Sequence, residues 1–541
     1  LFDIRVRKGY LSGQNDTGYH TSYHAPNPSN FAAAAPPAMA AEPQFAVLSV
    51  WRIDARDDVA VALRPLAPQE RLLLGDALVE TTESIPSGHK IALRPIAAGE
   101  QVRKYGWPIG RARQAIARGA HVHTHNLATE LTGETAYQLG SKRAATSPAS
   151  APARSFRGYR RADGRVATRN EIWILPTVGC VNRTAEKLAR LASERCGSAV
   201  DGIHAFTHQF GCSQLGDDLA RTRGLLAALA RHPNAGGVLV LGLGCESNQL
   251  DALMGALPPQ ASGRMRALAA QERGDEIDAG LAILDELVRL AARDRREECP
   301  ASALTIGLKC GGSDGFSGIT ANPLVGRIAD RVTAAGGAAV LTEIPEIFGA
   351  EHLLMERAAS AGVSGDIATL VNGFKRYFLA HDQPVHENPS PGNIAGGITT
   401  LEEKSLGAVQ KGGRAIVTGV LKYGDSVSTP GLSLLESPGN DAISATALVA
   451  AGANILLFTT GRGTPLGFPV PTLKISSNSQ LARTKPHWID FDAGRMLAGS
   501  APEQAADELM ELVLDVASGK PARNELNDER EIAIWKGGVT L

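Results

Sequence analysis

Short apolar runs split by Gly, Pro and Asp dominate the first part of the chain, at residues 47–51, 59–63, 72–74, 89–93 and 105–109. Runs of that length between turn formers predict a small β-rich unit over 45–127. The pattern then lapses. Residues 128–157 are mostly Thr, Ser, Ala, Pro and Arg, the composition of a linker. Beyond it, apolar runs alternate with amphipathic stretches. Buried strands are predicted at 171–176, 202–207, 237–241, 304–308 and 338–343, and helices at 183–196, 217–231, 276–296 and 325–335. That alternation predicts a mostly parallel sheet with helices on both faces. Further strand–turn units fall at 415–420, 455–460 and 472–476, with a helix near 503–518. No internal repeat is evident. The expected division is a β domain at 45–127, a linker at 128–157, an α/β domain at 158–395 and a second α/β domain at 396–541.

Composition changes this picture little. At 541 residues the chain is too long for one core. A formal net charge of −1 gives no electrostatic case for nucleic acid or an anionic membrane surface. There is no apolar run of about 18 residues, so no membrane span is expected. Residues 1–44 lack apolar periodicity and an apolar leader segment, and are expected to be a disordered extension. Leu1 is not an initiator, and translation is expected to begin at Met39. A cytoplasmic location is expected, and with it free thiols or metal ligands rather than disulfides.

Four of six cysteines close strand-like runs: Cys180, Cys212, Cys245 (followed by Glu246) and Cys310. Ligands in open α/β sheets bind outside the carboxyl ends of strands, so these cysteines are expected at one sheet edge. They read as metal or iron–sulfur ligands, as reactive thiols, or as small packing residues beneath a glycine-lined site. A rival metal site is His121-Val122-His123-Thr124-His125, whose alternate rings share one face of an extended strand. His89 and Lys90 follow Ser-Gly, and His208 lies near a strand end. The loop after Cys310 offers two glycines, Ser313, Asp314, Ser317 and Thr320, suited to an anion or to hydroxyls. Arg462, in a Gly-rich loop, is suited to clamping a carboxylate.

Trp173-Ile-Leu-Pro-Thr-Val-Gly-Cys-Val-Asn182, Gly211-Cys-Ser-Gln-Leu-Gly-Asp-Asp218, Gly242-Leu-Gly-Cys-Glu246, the loop from Gly311 to Pro323 and Asn388-Pro-Ser-Pro-Gly-Asn393 resemble the altronate/galactarate dehydratase family. The resemblance runs from about residue 47 to 541. The histidine-rich segment, Thr342-Glu-Ile-Pro-Glu-Ile-Phe-Gly-Ala-Glu351 and His487-Trp-Ile-Asp-Phe-Asp492 resemble its altronate-specific branch most. The resemblance implies an α/β protein: a small SAF-type β-clip domain, then a larger, mostly parallel α/β catalytic region. It also implies dependence on Fe2+ or Mn2+, and dehydration of D-altronate to 2-dehydro-3-deoxy-D-gluconate in hexuronate catabolism. An iron–sulfur cluster stays open.

Such a reaction takes a weakly acidic proton alpha to a carboxylate, so it needs a base, an acid for the leaving hydroxide and stabilisation of the enediolate. Acid/base work is expected of His89, His208 or Lys90. Metal binding is expected among Cys180, Cys212, Cys245, Glu246 and Cys310, with His121, His123 and His125 as the rival set. Substrate binding is expected of Ser313, Asp314 and Arg462. The expected partner is a small sugar acid, with a homo-oligomer open and neither nucleic acid nor membrane involved. Competing functions are dehydration of galactarate, elimination of sulfite from sulfolactate, and non-catalytic binding of a sugar acid.

Overall fold

The structure is a computed structural model, and it describes residues 49–75, 77–137, 154–257 and 263–540. The expected extension at 1–44, with Met39, lies outside the described residues, as does most of the expected linker.

The N-terminal module is built of short antiparallel strands. A four-stranded sheet runs in the order Val50–Trp51, Val59–Ala62, Lys90–Ala92, His121–Val122. A three-stranded sheet joins Gln101–Lys104, Trp107–Ala112 and Leu127–Ala128. Contrary to the sequence reading, a local repeat organises it. Leu66, Ile85, Ile96 and Ile116 are buried anchors that bridge in pairs, Leu66 with Ile85 and Ile96 with Ile116. Three residues after each anchor the backbone turns left-handed, at Gln69, Gly88, Gly99 and Gly119. The repeat hides in sequence because one anchor is Leu, one turn residue is Gln and the spacings differ. It matters to the site because two turns deliver His89 and His121 to paired strands, where Lys90 faces Val122 and Ile91 faces His121.

The rest of the molecule contains two parallel sheets. The first has the order Gly202–Ala205, Glu171–Pro176, Ala235–Gly242, Met265–Ala269. The second has seven strands: Val417–Leu421, Gly431–Leu435, Ala338–Leu341, Thr305–Cys310, Ile455–Thr460, Thr472–Ser476 and Phe491–Asp492. Central strands such as Glu171–Pro176 and Ile455–Thr460 are buried along their whole length, as parallel strands covered on both faces must be. Helices Gly216–Ala230 and Asp441–Ala450 pack together, and one apolar core joins residues of both sheets, from Trp173 and Leu225 to Leu448 and Phe458.

Two expectations are corrected here. A domain boundary at 395 would cut the seven-stranded sheet, because strands from 305 and 338 interleave with strands from 417 onward. Cys310 does not share a sheet edge with the other three cysteines. It ends a strand of the seven-stranded sheet, whereas Cys180, Cys212 and Cys245 follow strands of the four-stranded one. Alternating strands and helices look alike whether they build one sheet or two, so periodicity could not separate them.

Candidate active site

His89, His121 and His123 bring one ring nitrogen each to within 4.8 Å of one another. His89 Nδ1 lies 3.0 Å from His121 Nε2, and the His125 ring is 5.3 Å from that of His121. The segment is not the extended strand the sequence suggested. Only His121 and Val122 are in a strand, and a turn over 123–126 folds the later histidines back toward the first. Burial and neighbouring cations lower the basicity of all three ligand-competent rings, His121 to about 3 and His123 to about 4. The imidazoles are therefore neutral at pH 7 and their lone pairs are available. The His89 Nε2–H points to the Ala395 carbonyl at 3.4 Å, which leaves its Nδ1 lone pair aimed at His121. Neutral nitrogens converging on one point fit a divalent first-row metal.

Lys90 sits behind this cluster. Its ammonium donates to the Gly397 carbonyl and Thr399 Oγ1, both at 2.7 Å, and lies 2.8 Å from Glu403. His123 Nδ1 is 3.0 Å from the same Thr399 hydroxyl. All three acceptors of Lys90 are protein groups, which tie it behind the histidines, while burial lowers its ammonium to about 8. His208 is likewise committed. Its Nε2–H donates to Pro176 O at 2.8 Å and its Nδ1 accepts from Phe210 N–H at 3.1 Å, leaving no nitrogen for proton transfer.

Across helix Pro391–Ala395 lies a polar cavity of about 290 Å³. Its wall includes Cys310, Ser313, Glu346, Asn388, Ser390, Asn393, Lys404 and Asp441. The helix links the two places: Asn393 lines the cavity, while Ala395 faces His89. Lys404 donates to Glu346 at 2.7 Å, Asn388 at 2.9 Å and Asn393 at 3.1 Å. Beneath it, Cys310 Sγ is 2.7 Å from Lys411 and 3.5 to 3.6 Å from Glu343 and Glu346. Lys309 bonds both Glu343 and Asp441.

Cys310, Glu343 and Glu346 also cluster closely enough for a metal. Their chemistry does not fit one. Three ammonium groups already neutralise the carboxylates, and Lys411 also occupies the Cys310 sulfur at 2.7 Å. Cys310 is thus corrected from metal ligand to a member of a buried ion network. Glu246 is corrected too: it accepts from the Thr177 hydroxyl and the Leu243 and Gly244 amides, bracing its own loop. Asp314 is corrected from substrate ligand to loop organiser. Its carboxylate accepts from Phe316 N, Ser317 N, Ser317 Oγ, Ser477 Oγ and Asn478 Nδ2. Ser313 does line the cavity, and Arg462 is exposed beside it, its backbone N–H donating to Gly312.

Three family models cover the described chain. The altronate/galactarate dehydratase SAF domain matches residues 48–130. The second domain of D-galactarate dehydratase/altronate hydrolase matches 158–292, and the C-terminal domain of D-galactarate/altronate dehydratase matches 301–540. The chain belongs to the altronate/galactarate dehydratase family. Within the family, the altronate dehydratase of Bacillus subtilis (strain 168) is 50% identical over 496 residues, 91% of this chain and 100% of that protein. The altronate dehydratase of Escherichia coli (strain K12) is 50% identical over 492 residues, 91% of this chain and 99% of its own. The galactarate dehydratase (L-threo-forming) of Escherichia coli (strain K12) is 32% identical over 493 residues, covering 86% and 92%. The family matches put the domain break between 292 and 301, where the two parallel sheets part.

Sequence reasoning missed Glu343, Glu346, Lys309, Lys404 and Lys411 as site residues. The available signal was charge inside apolar runs: Lys309 stands in an otherwise apolar strand, and Glu402-Glu403-Lys404 opens a helix buried over all eight residues.

Proposed function

We propose that this protein is a metal-dependent hydro-lyase that dehydrates D-altronate to 2-dehydro-3-deoxy-D-gluconate. The observation that carries the reading is full-length identity of 50% to altronate dehydratases, against 32% to a galactarate dehydratase. The geometry supports it: a polar cavity and a cluster of three neutral imidazoles adjoin the same short helix, Pro391–Ala395.

His89, His121 and His123 would hold Fe2+ or Mn2+, which would supply Lewis acidity to an oxygen ligand that reaches the histidine cluster. The chain's own groups do the rest. Lys404, Asn388, Asn393, Ser390 and Ser313 offer donors and acceptors to a carboxylate and several hydroxyls, and Arg462 stands at the rim. The C2 proton passes to Asp441, the more exposed carboxylate of the cavity wall. The same carboxyl returns it to the C3 hydroxyl, which leaves as water, and the enol formed becomes the 2-keto acid. The Lys404 charge opposes the negative charge that builds on the substrate carboxylate as C2 is deprotonated.

Keto-acid formation from a panel of aldonates and aldarates tests this. D-Altronate is expected to give the highest kcat/KM. Preference for galactarate, or binding of altronate without turnover, would overturn the proposal.

A further inference from the structure

Cys180, Cys212 and Cys245 are all exposed, whereas Cys299 and Cys310 are buried. Cysteine is among the most buried residue types, so three exposed thiols at one sheet edge require an explanation. They follow three neighbouring parallel strands, with the strand of Cys180 between the other two. All three are free, with no disulfide among them.

The loops that carry them are tied to one another with unusual care. Gly179 N–H donates to Phe210 O and Asn248 N–H to Gly211 O, both at 2.9 Å. Ser213 N–H reaches Ser247 Oγ at 3.2 Å, and the Asn248 side chain donates to Thr177 O at 3.1 Å. His208 and Glu246, both buried, spend their bonding capacity bracing these same loops. Glycine lets the loops close up: at Gly211, where φ is 103°, a Cβ would stand 2.1 Å from Thr177 O. This edge lies in a different domain from both the histidine cluster and the polar cavity. Neither site uses it, so a rigid frame of buried polar groups is left presenting three thiols.

We infer that Cys180, Cys212 and Cys245 hold an iron–sulfur cluster of the [4Fe–4S] type, at a site separate from the histidine cluster. A cubane takes its thiolates at different corners, so three cysteines from three separate strand-end loops can each attach to a different iron. Hydrogen-bond donors to the sulfurs are also in place. Gln271 Nε2 lies 3.6 Å from Cys245 Sγ, and the Ser213 hydroxyl is 3.7 Å from Cys212 Sγ. Glu246, the nearest carboxylate in sequence, is committed to its loop and does not compete with the thiols as a ligand.

The chain purified without oxygen is expected to contain about four iron and four acid-labile sulfide per chain at this site, with broad absorbance near 400 nm. Each of Cys180→Ser, Cys212→Ser and Cys245→Ser should lower sulfide at least threefold, while Cys196→Ser and His121→Ala retain it. A second measurement needs no variant. In the untreated anaerobic protein these three thiols should resist alkylation, and react once the cluster is dismantled by ferricyanide with chelator. Iron without sulfide, zinc in place of iron, sulfide loss in Cys196→Ser, or immediate alkylation of all three thiols would each overturn the inference. Retention of sulfide in His121→Ala keeps this test independent of the proposed function.

Discussion

His89 carries no distinguishing pattern in the sequence, being a lone histidine after Ser-Gly, and it belongs with three histidines more than thirty positions later. A left-handed turn at Gly88 and strand pairing between residues 90–92 and 121–122 bring it there. If it and its neighbours hold the metal, His121→Ala or His123→Ala should lower metal affinity more than about 100-fold without unfolding the protein. Metal analysis beside circular dichroism reads this. Lys404→Met should cut kcat/KM about 100-fold with metal content unchanged, since it removes a charge facing the cavity and not a ligand. Glu171 makes a separate prediction about stability. Burial raises its carboxyl to about 7, against an ordinary value of 4.5. Between those values the folded state binds the proton that the unfolded state releases, so stability falls as pH rises from 4.5 to 7, by on the order of 3 kcal/mol. Urea denaturation across that range should show Glu171→Gln lacking this decline. A wild type and variant that run parallel would refute it.

Helix Leu401–Ala408 shows why charged elements were read poorly. Its eight residues are all buried although three are charged, and Glu402, Glu403 and Lys404 each find a different partner. Thr400 starts it by accepting from Glu403 N–H. Glu403 then bonds Lys90 at 2.8 Å and Lys104 at 2.7 Å, both from the N-terminal module. The two lysines hold its carboxyl down to about 2. Glu403→Ala leaves two ammonium groups buried without a counter-charge, a change expected to cost about 3–5 kcal/mol. Thermal denaturation should show it, with loss of the histidine site's metal as the local consequence. Sequence patterning assigns such charges to solvent, because a buried charge is tolerated only when its partner arrives from elsewhere in the fold. By contrast the strands at 171–176 and 455–460 were legible to the residue, because burial on both faces leaves largely apolar runs.

At the scale of the whole molecule, the proposed metal acts as a ligand of the folded state alone, since the histidines meet only there. Fe2+ at a hundredfold excess over its dissociation constant should therefore add about 2.7 kcal/mol to stability. A chelator should reverse the gain and abolish turnover, with both restored by Fe2+ or Mn2+. A melting temperature indifferent to metal and chelator would contradict this. The sequence by itself determined the class of fold, the family, and the strand-end and loop positions of Cys180, Cys212, Cys245 and Ser313, because local periodicity and turn chemistry act over neighbouring residues. Only the tertiary structure decided that the seven strands make one sheet, that Cys310 belongs with Lys411 and not with the other cysteines, and that His89 joins His121 and His123. It also decided that Lys90, His208, Glu246 and Asp314 are already bonded within the protein. Whether a polar side chain is free to do chemistry depends on partners hundreds of residues away, and a linear pattern holds no record of them.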